Sequence, residues 1–247
     1  MKRLISGPRL AFTYAAALAI SLAAGSAAQA QDITFNAAAV SDYRFRGISQ
    51  TRLQPALQAG ADWADSASGL YAGTWLSTIR WTHDAGGGGA VEWDVYAGKR
   101  GELGRGFAYD AGVLAYAYPA NGLDPSANTV ELYAQVGRGP ASLKYSHAVT
   151  NLFGFAHSRH SGYLDASFNP ALGAGFTLNL HAGRQQVRSH AASSYTDWKV
   201  GVTKDFGFAT VALAWVGTNA GKAAYASPVN GKFTGRGAAV LAVSRTF

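Results

Sequence analysis

The 247-residue chain contains no cysteine, so neither a disulfide framework nor a thiolate metal site can organise it. Charge is scarce as well. Asp, Glu, Lys and Arg together make 14% of the residues, against roughly 25% in ordinary soluble domains. Beyond the first thirty residues no stretch approaches the ~18 consecutive apolar residues that mark a spanning helix, which excludes an α-helical membrane protein after that point. The excess of basic over acidic residues, 21 to 14 or +7, is partly local. Lys2, Arg3 and Arg9 lie in an acid-free N-terminal segment, and without residues 1–30 the balance is 18 to 14, or +4. A nucleic-acid partner loses its electrostatic footing there, and none is expected.

What is present begins with a leader. "MKRLISGPR" is a basic n-region, "LAFTYAAALAISLAA" an apolar h-region, and "SAAQA" a small-x-small end of the kind signal peptidase cuts. Cleavage is expected after Ala30, so residues 1–30 are the leader and 31–247 the mature domain. The rival reading is a membrane anchor, but the apolar run falls short of the ~20 residues a spanning helix needs.

Past Ala30 apolar residues recur with a period of two. In "GFTLNLHAG", Phe176, Leu178, Leu180 and Ala182 share one face, while Thr177, Asn179, His181 and Gly183 share the other. "VELYAQVG", "VEWDVYAG" and "WKVGVTK" follow the same rule. About twelve such segments, bounded by turn residues, are predicted near 33–46, 55–63, 69–80, 89–98, 106–118, 129–137, 140–149, 161–168, 173–184, 195–204, 207–217 and 236–247. Their connections alternate. "ADSAS", "RGP", "NPAL" and "DF" are short, with "KRGELGR" somewhat longer; "WTHDAGGGG", "PANGLDPSAN", "TNLFGFAHSRH", "QQVRSHAASS" and "TNAGKAAYASPVNGKFTG" are long and polar. A closed meander puts odd connections at one end and even ones at the other, as in outer-membrane barrels. The fold class is therefore all-β: a transmembrane antiparallel up-and-down β-barrel of about twelve strands, with both termini at the periplasmic end.

The two faces support that direction. The polar face carries Asp62, Glu92, Asp94, Asp110, Glu131, Lys144, Asp165, Asp197 and Lys199; the other is uncharged except near strand ends, at His147, Lys204 and Arg245. A basic residue facing lipid costs ~2–4 kcal/mol at the midplane and ~0–1 near the interface. Aromatics on the apolar face sort into two girdles. Trp63, Phe107, Phe168, Phe176 and Phe247 fall at periplasmic ends; Tyr43, Phe45, Trp93, Trp198 and Trp215 fall toward outer ends. Outer-membrane lipids are the expected surroundings. The terminal Phe247 resembles the signal read by barrel-assembly machinery, although Arg245 stands where an aromatic is commoner.

"VSDYRFRGISQT", "LYAGTW", "VEWDVYAG" and a last strand ending "SRTF" together resemble the TorF-type porin family of conserved hypothetical outer-membrane proteins, over residues 31–247. The resemblance implies a barrel in the bacterial outer membrane with a passive-channel role and leaves the solute open; passive diffusion of small hydrophilic solutes is the function expected. No cofactor is implied.

Candidate chemistry centres on the polar face. Asp42, Arg44 and Arg46 share the inward parity of Thr34 and Asn36 and are expected at the outer end of the first strand. There the arginines either form a charged constriction, since rings of fixed charge set pore selectivity, or pair with interior carboxylates and hold the barrel together. The competing class is a lipid-modifying hydrolase, for which "YSHAVTN" offers Ser146 and His147. Alternation puts the two on opposite faces, against nucleophile–base contact, and no enzymatic activity is expected. His157 and His160 of "HSRH" lack further ligands for a metal, and "DAGGGGA" lacks the context of a phosphate cradle. An interaction barrel without transport is the remaining class.

Overall fold

The computed structural model describes residues 31–247; the expected leader lies outside the described residues. The alternating segments form β1 Gln31–Val40, β4 Ala56–Asp65, β5 Leu70–Thr78, β6 Val91–Gly104, β7 Phe107–Ala117 and β8 Thr129–Arg138. They continue as β9 Ala141–Ala148, β10 Gly162–Phe168, β12 Phe176–Gln186, β13 Tyr195–Asp205, β14 Thr210–Thr218 and β15 Ala238–Thr246. Three short strands complete the set: β2 Arg44–Phe45, β3 Ile48–Ser49 and β11 Ala171–Gly173. Helix is confined to single turns, Trp81–Asp84 and Lys222–Tyr225, with a 3₁₀ turn at Ala191–Ser193.

Each long strand pairs antiparallel with its sequence neighbours, β1 pairs with both β4 and β15, and β10 with both β9 and β12. The result is a closed ring of twelve strands, with β11 an extension of the β10–β12 turn. Closure leaves the ring no unpaired edge. The connections alternate as the sequence suggested. Residues 66–69, 105–106, 139–140, 169–175 and 206–209 turn at one end; 41–55, 79–90, 118–128, 149–161, 187–194 and 219–237 lie at the other. "KRGELGR" proves to be mostly strand. β6 runs to Gly104, and the turn shrinks to Arg105 and Gly106, both left-handed at φ 55° and 77°, the geometry a tight hairpin favours.

The faces are inverted relative to a soluble protein. Leu132, Val200 and Leu213 are 51–57% exposed in mid-strand, whereas Glu92, Asp110, Glu131 and Asp197 are 1–2% exposed. Water-soluble folds bury the first kind and expose the second; a barrel in lipid does the reverse. Three outward bases near strand ends stack on girdle rings. Arg138 lies over Phe107 (5.1 Å), Lys204 over Phe176 (4.6 Å) and Arg245 over Phe247 (4.8 Å).

Phe107, Phe168, Phe176 and Phe247 face outward at the short-turn end, joined by Phe206 and Phe208 of the β13–β14 turn; Trp63 shares their face but is half-buried. Trp93, Trp198 and Trp215 face outward toward the long-loop end. Tyr43 and Phe45 do not join them. Tyr43 is 5% exposed, and Phe45 packs against the same internal cluster. The wall strand ends at Val40 rather than near residue 46, so the alternation that continues through "SDYRFRG" belongs to a different element inside the barrel.

Candidate functional site

That element is a hairpin folded into the lumen. Ser41 donates its N–H to the Leu241 carbonyl (2.8 Å), the last ladder-like bond before the chain turns inward. Asp42 then gathers the segment. Its carboxylate accepts from Ser49 Oγ (2.5 Å), Thr51 Oγ1 (3.3 Å) and Arg44 Nε (2.5 Å). β2 and β3 pair only with each other, Phe45 opposite Ile48. The turn between them is Arg46 and Gly47, both left-handed at φ 47° and 79°, as a two-residue primed turn requires. For Arg46 that conformation is strained by ~1–3 kcal/mol and must be held from outside. A side chain at Gly47 would run into Thr218 and Asp197.

What holds Arg46 is the far wall. Its Nη1 and Nη2 donate to Glu131 Oε1 (3.0 Å) and Oε2 (2.6 Å) on β8, and Nη1 also to Gln185 Oε1 (2.7 Å) on β12. The guanidinium stacks between the rings of Phe45 (4.7 Å) and Tyr163 (4.3 Å). Burial opposes its charge, but Glu131 outweighs that and holds the pKa above the ordinary arginine value. Tyr43 donates to Glu92 Oε1 on β6 (2.7 Å) and packs edge-on against Trp75 of β5 (5.4 Å). Phe45 meets Tyr116 of β7 and Phe153 (both 5.5 Å), and Ile48 packs on Tyr195 and Ala220. Arg44 stays local, donating to the Gly47 carbonyl (3.0 Å) and, across to the last long loop, to those of Thr234 (3.3 Å) and Arg236 (2.8 Å). The hairpin thus spans the lumen from β5 and β6 to β12–β14.

Every polar-face candidate points inward, and tyrosines organise most of the carboxylates. Tyr71 donates to Asp110 (2.5 Å), Tyr96 to Asp62 (2.5 Å), Tyr116 to Glu131 (3.2 Å) and Tyr163 to Asp197 (2.9 Å). Asp94 lies buried near Glu92 and Glu131 and keeps Oδ1 without a hydrogen bond among the described residues. Lys144 sits over the Tyr133 ring (4.0 Å). His181 bridges two carboxylates, Nδ1 to Asp165 (3.2 Å) and Nε2 to Asp197 (2.7 Å), with Lys199 opposite it across the β12–β13 pair. Tyrosines cover inward glycines: the hydroxyl end of Tyr71 lies where a side chain at Gly98 would sit, and that of Tyr163 where one at Gly183 would, a packing that compensates glycine's missing side chain in a sheet. The phenols and His181 are absent from the sequence-predicted set. Their trace was the shared-face spacing of Asp94 with Tyr96, Glu131 with Tyr133, Tyr163 with Asp165, and Tyr195 with Asp197.

The remaining arc is different. Between exposed outward residues such as Leu213, Trp215, Leu241 and Val243, β14, β15 and β1 turn inward Ala212, Ala214, Val240, Ala242, Ser244 and Ala38. These are small and uncharged, and they are half-buried rather than buried despite pointing inward. Above the hairpin, a cavity of about 290 Å³ opens among the long loops, lined by Phe45, Arg46, Gln50, Trp81, Phe153 and Tyr225. Ser146 and His147 are split by the wall: Ser146 is buried inside, and His147 Nε2 meets His160 Nδ1 (3.0 Å) outside.

A family model described as "Bacterial protein of unknown function (Gcw_chp)" matches residues 23–247. The chain belongs to the Gcw_chp family. No curated protein matches the sequence. Among solved structures the Gcw_chp chain resembles the KdgM porin at 8% identity, with 87% of this chain and 97% of that one covered and a TM-score of 0.54. The KdgM porin in complex with disordered oligogalacturonate matches at 7% identity over 87% and 97%, TM-score 0.54. The NanC porin matches at 10% identity over 87% and 99%, TM-score 0.54. At such identities the likeness is one of fold: a closed antiparallel β-barrel.

Proposed function

We propose that this Gcw_chp barrel is a narrow, passive channel for small hydrophilic solutes in the outer membrane of a Gram-negative bacterium. In this reading water and solute follow the small-residue arc of β14, β15 and β1, and the Asp42–Thr51 hairpin forms the constriction. The observation that carries it is the contrast within the lumen. One side is filled by buried tyrosine–carboxylate pairs; the other bears small inward residues that retain solvent exposure.

Supporting observations are the porin-like fold, the apolar exterior with its girdles, the leader-like residues 1–30 and the resemblance of "VSDYRFRGISQT" to TorF-type porins. Delivery to the membrane is assigned to barrel-assembly machinery through the C-terminal Phe247. Arg44 and Arg46 take both roles weighed from the sequence: each is paired, and the paired hairpin is what narrows the pore. No reaction is assigned: Ser146 and His147, the pair weighed from the sequence, are divided between the two faces. Liposome swelling with graded neutral sugars, and with oligogalacturonate because the KdgM complex contains it, tests the proposal. Size-limited permeation is expected; no permeation by any solute would overturn it in favour of an interaction barrel.

A further inference from the structure

The long-loop rim is not electrostatically uniform. Where β9, β10, β12 and β13 meet the loops 149–161 and 187–194, the outer surface carries His147, Arg159, His160, Arg184 and Arg188, with no acidic residue between positions 145 and 164 or between 176 and 196. Arg159, His160, Arg184 and Arg188 are exposed. Strand parity turns His147 and Arg184 to the outside of the barrel, as it does their exposed neighbours Tyr145 and Leu164. Arg159, His147 and Arg188 lie close enough to His160 to oppose its charge. His160 is held below the ordinary histidine value, first by desolvation and then by Arg159, His147 and Arg188. Among the described residues, the nearest acids along these strands and loops, Asp165 and Asp197, face the lumen and are bound to His181.

The register fixes the depth of the cluster. Arg184 stands opposite Leu164 and Thr196, one step nearer the loops than the pair Ala182–Trp198. His147 stands two residues beyond Tyr145 on the same outward face. Arg184 and His147 therefore lie just above the interfacial rings Trp198 and Tyr145, with Arg159, His160 and Arg188 in the loops beyond them, at the level where the phosphates of a lipid headgroup sit above the apolar band. An anion bound here would be held from the side chiefly by positive charge, which an ammonium supplies as a guanidinium does.

We propose that this rim is a binding site for the phosphate groups of a phosphorylated glycolipid of the outer leaflet, held by Arg159, Arg184 and Arg188. The proposal rests on the outer-membrane reading above but not on conduction. It is tested on the full mature chain in detergent micelles by titrating a bisphosphorylated glycolipid, its dephosphorylated counterpart and inorganic phosphate, with binding read by native mass spectrometry. The bisphosphorylated lipid is expected to bind the wild type, the dephosphorylated lipid to bind far more weakly, and inorganic phosphate not to compete at millimolar concentration. In Arg159→Gln/Arg184→Gln/Arg188→Gln, binding should weaken on the order of 10- to 100-fold. Retained heat-modifiable migration on a gel shows that the variant is folded, and Arg159→Lys/Arg184→Lys/Arg188→Lys, which keeps the charge, should recover most of the affinity if the triple glutamine variant misfolds or binds weakly. Equal binding of both lipids, equal binding by the wild type and the folded glutamine variant, or a charge-preserving variant as weak as the glutamine one would overturn the proposal. Conductance in the same preparations reports separately on the channel, so either idea can fail without the other.

Discussion

Two sides of one lumen use the same period-two backbone to opposite ends. From β5 round to β13, inward positions hold Tyr71, Trp75, Glu92, Asp94, Asp110, Tyr116, Glu131, Tyr133, Tyr163 and Asp197, all buried and most of them tied across strands. On β14, β15 and β1 the same inward parity holds mainly alanine, valine, serine and threonine, with Asn36 and, at the start of β1, Asp32 as the exceptions. Fixed charge and phenols make the first side rigid, because removing either partner strands a buried polar group. The second side has nothing to lose and leaves room. A barrel of this size has space for a packed interior or a ligand-sized passage; here each takes part of the circumference, and the hairpin crosses both.

Filling the open side should have the largest effect. Ala214→Trp with Ala242→Trp should lower single-channel conductance about tenfold or more, as a narrowed pore must, with little change in folding yield. Breaking the filled side costs stability instead. Arg46→Ala strands Glu131 and should destabilise the barrel by about 3–5 kcal/mol, the usual consequence of removing one member of a buried pair; in planar bilayers it should also raise conductance and shift ion selectivity as the hairpin loosens. Unchanged conductance and selectivity in Arg44→Ala and Arg46→Ala would remove the hairpin from the constriction. A smaller effect is expected from Gly98→Ala, whose new methyl meets the Tyr71 ring and should cost about 1–3 kcal/mol by overpacking, seen as a lower urea midpoint.

The smallest effect is a pH one. Burial, and then the charges of Glu92 and Asp94, push the Tyr43 phenol well above its ordinary value of 10.0. The folded protein therefore keeps that proton where the unfolded chain releases it. Tyr43 contributes full stability below about pH 10, and the contribution is lost as pH rises further. Tyr43→Phe should flatten this alkaline slope in a denaturation series; an unaltered slope would mean that other phenols set it.

The wall was legible because its signal is local and its period exact: a one-residue error would have turned Leu178 and Leu180 inward and Asn179 and His181 outward. The parity of long and short connections was equally local. The hairpin was not legible from the same rule. "SDYRFRG" alternates as a wall strand does, so Tyr43 and Phe45 read as lipid-facing, whereas the chain leaves the wall at Val40 and carries both rings inside. The clue was Arg46–Gly47 between Phe45 and Ile48, a turn pair of the hairpin type, within a stretch too polar after Gly47 to face lipid. The tyrosine–carboxylate network was half visible. Shared faces follow from spacing, but the partners of Tyr71, Tyr96, Tyr116 and Tyr163 lie on other strands, and strand-to-strand stagger is not written in any one segment.

The absence of cysteine makes the central claim directly measurable. Ala242→Cys places a thiol on the small-residue arc, and Ala39→Cys places one on the outward face of β1. In a planar bilayer, a bulky water-soluble thiol reagent is predicted to cut the current through the Ala242→Cys channel and to leave that of Ala39→Cys unchanged. Complete labelling of Ala242→Cys with no loss of current would contradict a conducting path along β14, β15 and β1.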